Sequence, residues 1–225
     1  MKAARPADLG TIEAERGAAL VRLTVFWEQQ ANRIRSALDL KSIPNVSDAF
    51  DYDAETAALE PLLRATMQRL AEAGAWDVLD KWNPDSEGWS PEMVEAYIAK
   101  AAATNAGRWS TAIADGLAAT VADDPAGAVD RIKEFLSDHA LAVALAGAFT
   151  TGALSFGAYD AASKSGLRRK TWRVTSKNPR PSHAAQNGES VAIHDVFSNG
   201  LRWPGDHYGN AAENANCTCR LDYGP

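Results

Sequence analysis

Residues 140–174 read ALAVALAGAFTTGALSFGAYDAASKSGLRRKTWRV, and the chain changes character inside them. From Ala140 to Tyr159 no residue is charged, and Ala, Gly, Ser and Thr separate Leu141, Val143, Leu145, Phe149, Leu154 and Phe156. Twenty such residues are long enough to cross a bilayer. Their apolarity is weak, however, because insertion is driven chiefly by Leu, Ile, Phe and Val. The expectation is a buried helix whose small residues let its neighbours come close, and no membrane as a partner. Gly166 is placed to cap that helix at its C-terminus. After it the sequence turns basic and strand-like, which sets a boundary between residues 166 and 167.

Working back from this helix, the pattern is helical throughout. From Leu9 to Leu38 the residues Ile12, Ala19, Leu23, Phe26, Trp27, Ile34 and Leu38 recur at spacings of three, four and seven, with polar residues between them. The segment from Asp39 to Asp53 contains Pro44, Asn45 and Ser47 and breaks the period, which Leu59, Leu62, Leu63, Met67 and Leu70 resume as far as Gly74. Pro61 either sits in the first turn of this second helix or kinks it. Trp82 to Glu92 reads as a loop, and Ser90, Pro91 and Glu92 start a third helix running to about Val121. Asp123, Asp124 and Pro125 repeat that start signal before a short fourth helix through Val129, Ile132, Phe135 and Leu136. Residues 1–166 are therefore expected to be all-α.

Working forward, residues 167–225 hold four prolines, five glycines, three of the four histidines, both cysteines and only short strand-like runs such as Thr171–Thr175 and Ser190–Ile193. The expected fold class is α+β: a predominantly helical N-terminal region followed by a small, loop-rich, β-containing C-terminal module. Few large apolar residues occur in this tail, so burial within it alone is expected to be insufficient.

Composition bounds the function. With 225 residues, 46% of them hydrophobic, the chain can bury a core. A net charge of −6 argues against coating nucleic acid over the whole surface, because that mode needs many Lys and Arg contacts. Cys217 and Cys219 are separated by one residue, which makes a mutual disulfide strained, and reduced thiols fit a cytoplasmic site of synthesis. The first residues, MKAARPADLGTIEAERG, lack the apolar core of a secretion signal. No Gly-x-Ser-x-Gly, phosphate-binding loop or His-Glu-x-x-His occurs.

Two constellations in the tail carry chemistry. His183, Cys217 and Cys219 combine imidazole with soft thiolates, a donor set that suits Zn²⁺ and could close a small module. His194, Asp195 or His207 could be a fourth ligand. In the alternative, His183 is hydrogen-bonded and the thiols pack as small apolar groups. The second constellation is basic: Lys164, Arg168, Arg169, Lys170, Arg173, Lys177 and Arg180 occur with no acid from Ala161 to Asn187. Arg168, Arg169, Lys170, Arg173, Lys177 and Arg180 are candidate contacts to nucleic acid. The alternative for them is a solvated helix end whose cations suit the dipole.

The tail also carries an ordered set of landmarks: Trp172 opening a strand, the Asn178-Pro179-Arg180 turn, His183, Gly188 within AAQNGESV, Phe197, the Pro204-Gly205-Asp206 turn, and Asn216-Cys217-Thr218-Cys219. With the preceding helix, ending AASKSGLRRKTW, these resemble the C-terminal module of tailed-phage minor head proteins, the Mu F-like head-morphogenesis family. About 80 residues from Leu141 onward carry the resemblance. Family members often have Arg-Thr-Glu in that helix, where this chain has AGAFTTG around Phe149. The resemblance implies a minor capsid protein that associates with the portal protein inside the capsid and assists head morphogenesis, DNA packaging or DNA delivery. It would be located in the capsid interior or at the portal vertex, with packaged double-stranded DNA and the major capsid protein as further partners. Residues 1–166 would be the portal- or capsid-docking part, and no catalytic residue is expected. The alternative function is a small metal-dependent enzyme, nuclease- or toxin-like, carried in the virion.

Overall fold

The computed structural model describes residues 5–39, 49–82, 89–90, 92–123, 125–209, 211–214 and 217–225. Pro44, Asn45, Ser47, Pro91, Asp124, Asn216 and most of the expected loop after Trp82 lie outside the described residues. Five helices come first: α1 (Ile12–Asp39), α2 (Tyr52–Trp82), α3 (Glu92–Asp123), α4 (Ala128–Ser137) and α5 (Ala140–Lys164). The tail follows as β1 (Arg169–Arg173), α6 (Pro181–Gln186), β2 (Ser190–Ala192), α7 (Ala211–Asn214) and β3 (Arg220–Gly224). Its three strands form an antiparallel sheet in the order β2-β1-β3. The expected class, helices first and then a small β-containing module, is what the structure shows.

Helix α5 is the axis of the fold. It packs most extensively on α2 and also meets α1, α3 and β3. Its length and mean hydropathy of 1.6 would suffice for a bilayer span, yet 61% of that apolar window is buried by the protein itself. The approach of α2 and α5 depends on residues without side chains. A Cβ on Gly157 would overlap the carbonyl of Ala71, and one on Gly74 would overlap the carbonyl of Leu154. Backbone thus meets backbone, flanked by Ala71, Ala75, Ala153 and Ala161, all fully buried. That arrangement explains how a helix so poor in large side chains can be central: close approach multiplies the many small dispersion contacts.

The boundary expected at 166/167 has a definite geometry. Gly166 has φ +75°, its N–H donates to Ser163 O, and the N–H of Leu167 reaches back to Ala162 O. This is a Schellman cap, which satisfies carbonyls at the helix end and turns the chain out of it. Asp123 is the last residue of α3 and the N-cap position of α4 is Gly127, so the fourth helix begins a few residues beyond the expected start signal. Pro61 lies well inside α2, which begins at Tyr52, so it is not a first-turn proline.

A polar network runs through the helical core. Trp109 Nε1 donates to Gln30 Oε1 (2.9 Å), Gln30 Nε2 donates to Glu55 Oε2 (3.0 Å), and Arg33 forms a two-pronged ion pair with Glu55. Each member satisfies the next, which keeps the cost of burying Gln30 and Glu55 low and fixes the register of α1, α2 and α3.

The tail does not stand alone. Leu167, Ile193 and Trp203 belong to the main core, while Trp172, Phe197, Leu201, Cys217 and Cys219 form a second, smaller cluster. The turn Trp203-Pro204-Gly205-Asp206 has its Asp206 N–H on Trp203 O and Gly205 at φ +74°, the pattern of a type II turn. It is buried, with Gly205 lying directly on Gly152 of α5. Docking on the helices thus supplies much of the burial that the tail's own composition lacks.

Candidate metal centre

Three elements bring His183, Cys217 and Cys219 together. Pro181, with its fixed φ, opens α6 and places His183 in that short helix, where its ring stands edge-on to Trp172 of β1 at 5.3 Å. Strand β3 pairs with β1, Trp172 opposite Leu221 and Arg173 opposite Arg220, so Cys219 arrives beside Trp172 just ahead of the paired stretch. The segment before β3 is anchored from two sides. Thr151 of α5 donates to Cys217 O (2.5 Å), and Thr175 donates to Thr218 O (2.6 Å). Thr151 comes from the AGAFTTG stretch, so the uncharged part of α5 has a direct role in positioning the cysteine segment.

The outcome is a compact donor set. His183 Nδ1 lies 3.6 Å from Cys217 Sγ and 3.4 Å from Cys219 Sγ. All three donor atoms are within 4.8 Å of one another, and all three residues are buried, so the group can hold a metal ion. The opposite ring nitrogen, Nε2, is 3.1 Å from Glu213 Oε2, and Glu213 is itself hydrogen-bonded by Ser182. A carboxylate on the far nitrogen selects the tautomer that leaves Nδ1 free for a metal. Both thiols remain free of any disulfide. The hydrogen bond from Cys217 pulls the Cys219 thiol below its ordinary value against the upward push of burial, and His183 adds to the lowering. The same bond, together with burial, pushes the Cys217 thiol up. The three donors form one wall of a cavity of 390 Å³ whose other walls come from Ser176, Thr218 and the turn at Asn178–Pro181.

None of the expected fourth ligands joins the group. His194 is exposed and its Nδ1 meets Tyr159 Oη (3.1 Å). His207 is buried with its Nδ1 on Tyr97 Oη (2.8 Å), and Asp195 is exposed. Among the described residues, His183, Cys217 and Cys219 are the whole cluster. Glu213, which orients the histidine, was not singled out in the sequence. Its signal was weak, a lone acid four residues before Cys217.

The basic segment divides. Arg168, Arg169, Arg173 and Lys177 are exposed and Arg180 is half-buried. Arg173 is paired with Asp222 (2.6 Å), Arg169 donates to Ser190, and Lys164 is paired with Asp160 (2.7 Å). Lys170 is a correction: it is fully buried, so it cannot reach a phosphate. Its Nζ donates to Arg202 O (2.8 Å) and lies over the rings of Tyr159 and Phe197 at 5.0 and 5.3 Å. Burial, with Arg202 nearby, depresses the amine to about 8. The strand period explains it, because Lys170 and Trp172 share the inward face of β1.

Compared with known proteins, the chain matches no family model, no curated protein and no solved structure.

Proposed function

We propose that the protein is a minor head protein of a tailed phage, portal-associated inside the capsid, whose C-terminal module is closed by a zinc ion on His183, Cys217 and Cys219. The observation that carries the reading is the convergence of the ordered tail landmarks. Trp172, His183, Cys217 and Cys219 come from three separate stretches of the tail and form one buried cluster. The sequence resemblance supplies the virion role, and the helical region offers the docking surface for portal or capsid shell. Packaged DNA would meet the exposed arginines 168 and 169.

Zinc is favoured by donor chemistry and by spacing. With Zn–S of about 2.3 Å and Zn–N of about 2.0–2.1 Å in a tetrahedron, neighbouring S and N donors sit about 3.6 Å apart. The observed separations are 3.6 and 3.4 Å. Zinc would take both thiols as thiolates and tie the end of the module to its beginning. Elemental analysis of the purified chain is expected to find one zinc, lost in the Cys217→Ser, Cys219→Ser double variant along with protease resistance of the tail. A metal-free wild type would remove the zinc. Cross-linking mass spectrometry of assembled particles tests the location: cross-links to portal support it, and cross-links confined to tail proteins overturn it.

The alternative, a small metal-dependent enzyme in the virion, draws on a single feature, the cavity beside the three donors. A zinc ion with an open position there could activate water. Metal-dependent cleavage of nucleic acid or peptide by the wild type would favour it.

A further inference from the structure

A second cavity, of 490 Å³, lies between α3, α5 and the residues Gly205, His207 and Asn214. Its size is within the roughly 300–1,000 Å³ usual for ligand pockets. The walls are mostly apolar, built from Ala112, Leu145, Ala148 and Phe149. Asn105, Arg108, Thr111 and Asp115 line it as well, and so do two buried polar residues that keep an unpaired atom, His207 at 4% and Asn214 at 5% exposure. The atoms without a hydrogen-bond partner among the described residues are His207 Nε2 and Asn214 Oδ1. Unpaired buried polar atoms are costly, and two on one apolar cavity point to a ligand that pairs them.

The remaining bonds of these residues define what that ligand must carry. Asn214 Nδ2 donates to Asp206 O (2.7 Å), so the acceptor Oδ1 is the amide atom left over. His207 Nδ1 is 2.8 Å from Tyr97 Oη. The tyrosine proton needs an acceptor, and Nδ1 provides it, which leaves the ring N–H on Nε2. The two unpaired buried atoms are therefore one donor and one acceptor. A single hydroxyl answers both, and the rings of Phe149 and His207 favour an aromatic body behind it.

We propose that this cavity is a binding site for a phenolic ring, its oxygen accepting from His207 and its hydroxyl donating to Asn214. The ring could come from a free phenolic compound or from a tyrosine side chain of a partner polypeptide. The site is independent of the metal cluster and of the virion assignment.

Calorimetric titration of the full chain with p-cresol, N-acetyl-tyrosinamide and toluene tests it. Saturable binding is expected for at least one phenol, with toluene weaker on the order of tenfold because it makes neither hydrogen bond. Ala112→Trp, which fills the cavity from α3, is expected to weaken the phenol at least tenfold. If that variant does not fold, Ala148→Leu fills the cavity from α5 and is read the same way. Better binding of N-acetyl-tyrosinamide assigns the ring to a polypeptide, and better binding of p-cresol assigns it to a free compound; both support the site. No saturable phenol binding, equal affinity for toluene, or an unchanged affinity in the folded cavity-filling variant overturns it.

Discussion

The hydroxyl of Thr151 donates to the carbonyl of Cys217 across 66 positions of sequence, both groups being buried. The central helix of the bundle thereby holds the segment that carries both cysteines. Thr151→Val keeps the shape but leaves that carbonyl unpaired, a cost of about 1–3 kcal/mol. Urea denaturation should show this loss and limited proteolysis should cut the tail sooner, while Thr151→Ser should stay close to wild type. A Val variant as stable as wild type would show that the bond contributes nothing.

Glu213 is expected to matter to the metal without touching it. Glu213→Gln weakens the hold on His183 Nε2 and should lower zinc affinity by about 10- to 100-fold. Competition with a chromophoric chelator measures this. Unchanged affinity would mean that α6 alone orients the ring.

Lys170 gives the fold a pH dependence of known sign. Its amine sits at about 8 in the folded chain against an ordinary value of 10.5. Below pH 8 both folded and unfolded chains are protonated and the burial cost is fully present. Between about 8 and 10.5 the unfolded chain holds more protons, so this residue's contribution to stability improves as pH rises. Lys170→Met lacks the effect. The stability of wild type relative to Lys170→Met should therefore rise from pH 7 to pH 9.5 in chemical denaturation, and parallel profiles would refute the buried amine.

Two glycine substitutions should act in opposite directions. Gly17 lies in exposed helix with nothing near its missing Cβ, so Gly17→Ala should stabilise by about 0.5–1 kcal/mol. Gly157→Ala must push α5 off the Ala71 carbonyl and should destabilise by about 1–3 kcal/mol or more. Thermal unfolding of the pair separates helix propensity from packing.

If packaged DNA is a partner, Arg168→Ala and Arg169→Ala should each reduce the log–log salt slope of DNA binding by about 0.9. Lys170→Met should leave the slope unchanged, since that amine is enclosed. Filter binding across a salt series reads all three.

Much of the helical layout was legible because apolar spacing is a local signal, and the chain break at Gly166 was legible because only glycine readily adopts that cap. The meeting of His183 with Cys217 and Cys219 followed from donor type. Other features depend on what lies across a contact. Lys170 read as one cation in a basic run, although Trp172 two residues on already marked its side of the strand as buried. His207 read as one of three possible fourth ligands, whereas its partner is Tyr97, 110 positions away. Helix α2 begins at Tyr52, before its apolar period becomes visible at Leu59, because its first turns meet their neighbours through polar side chains, Tyr52, Glu55 and Thr56, which leave no apolar period.

The glycine seams suggest where divergence is least tolerated. At Gly74, Gly157, Gly152 and Gly205 the opposing atoms belong to main chain, so no neighbouring substitution can make room for a larger residue. Surface charges can drift in compensating pairs, but these four positions cannot. Kin too distant for overall similarity to reveal should still be recognisable by small residues at this spacing, with a left-handed glycine at the equivalent of Gly205.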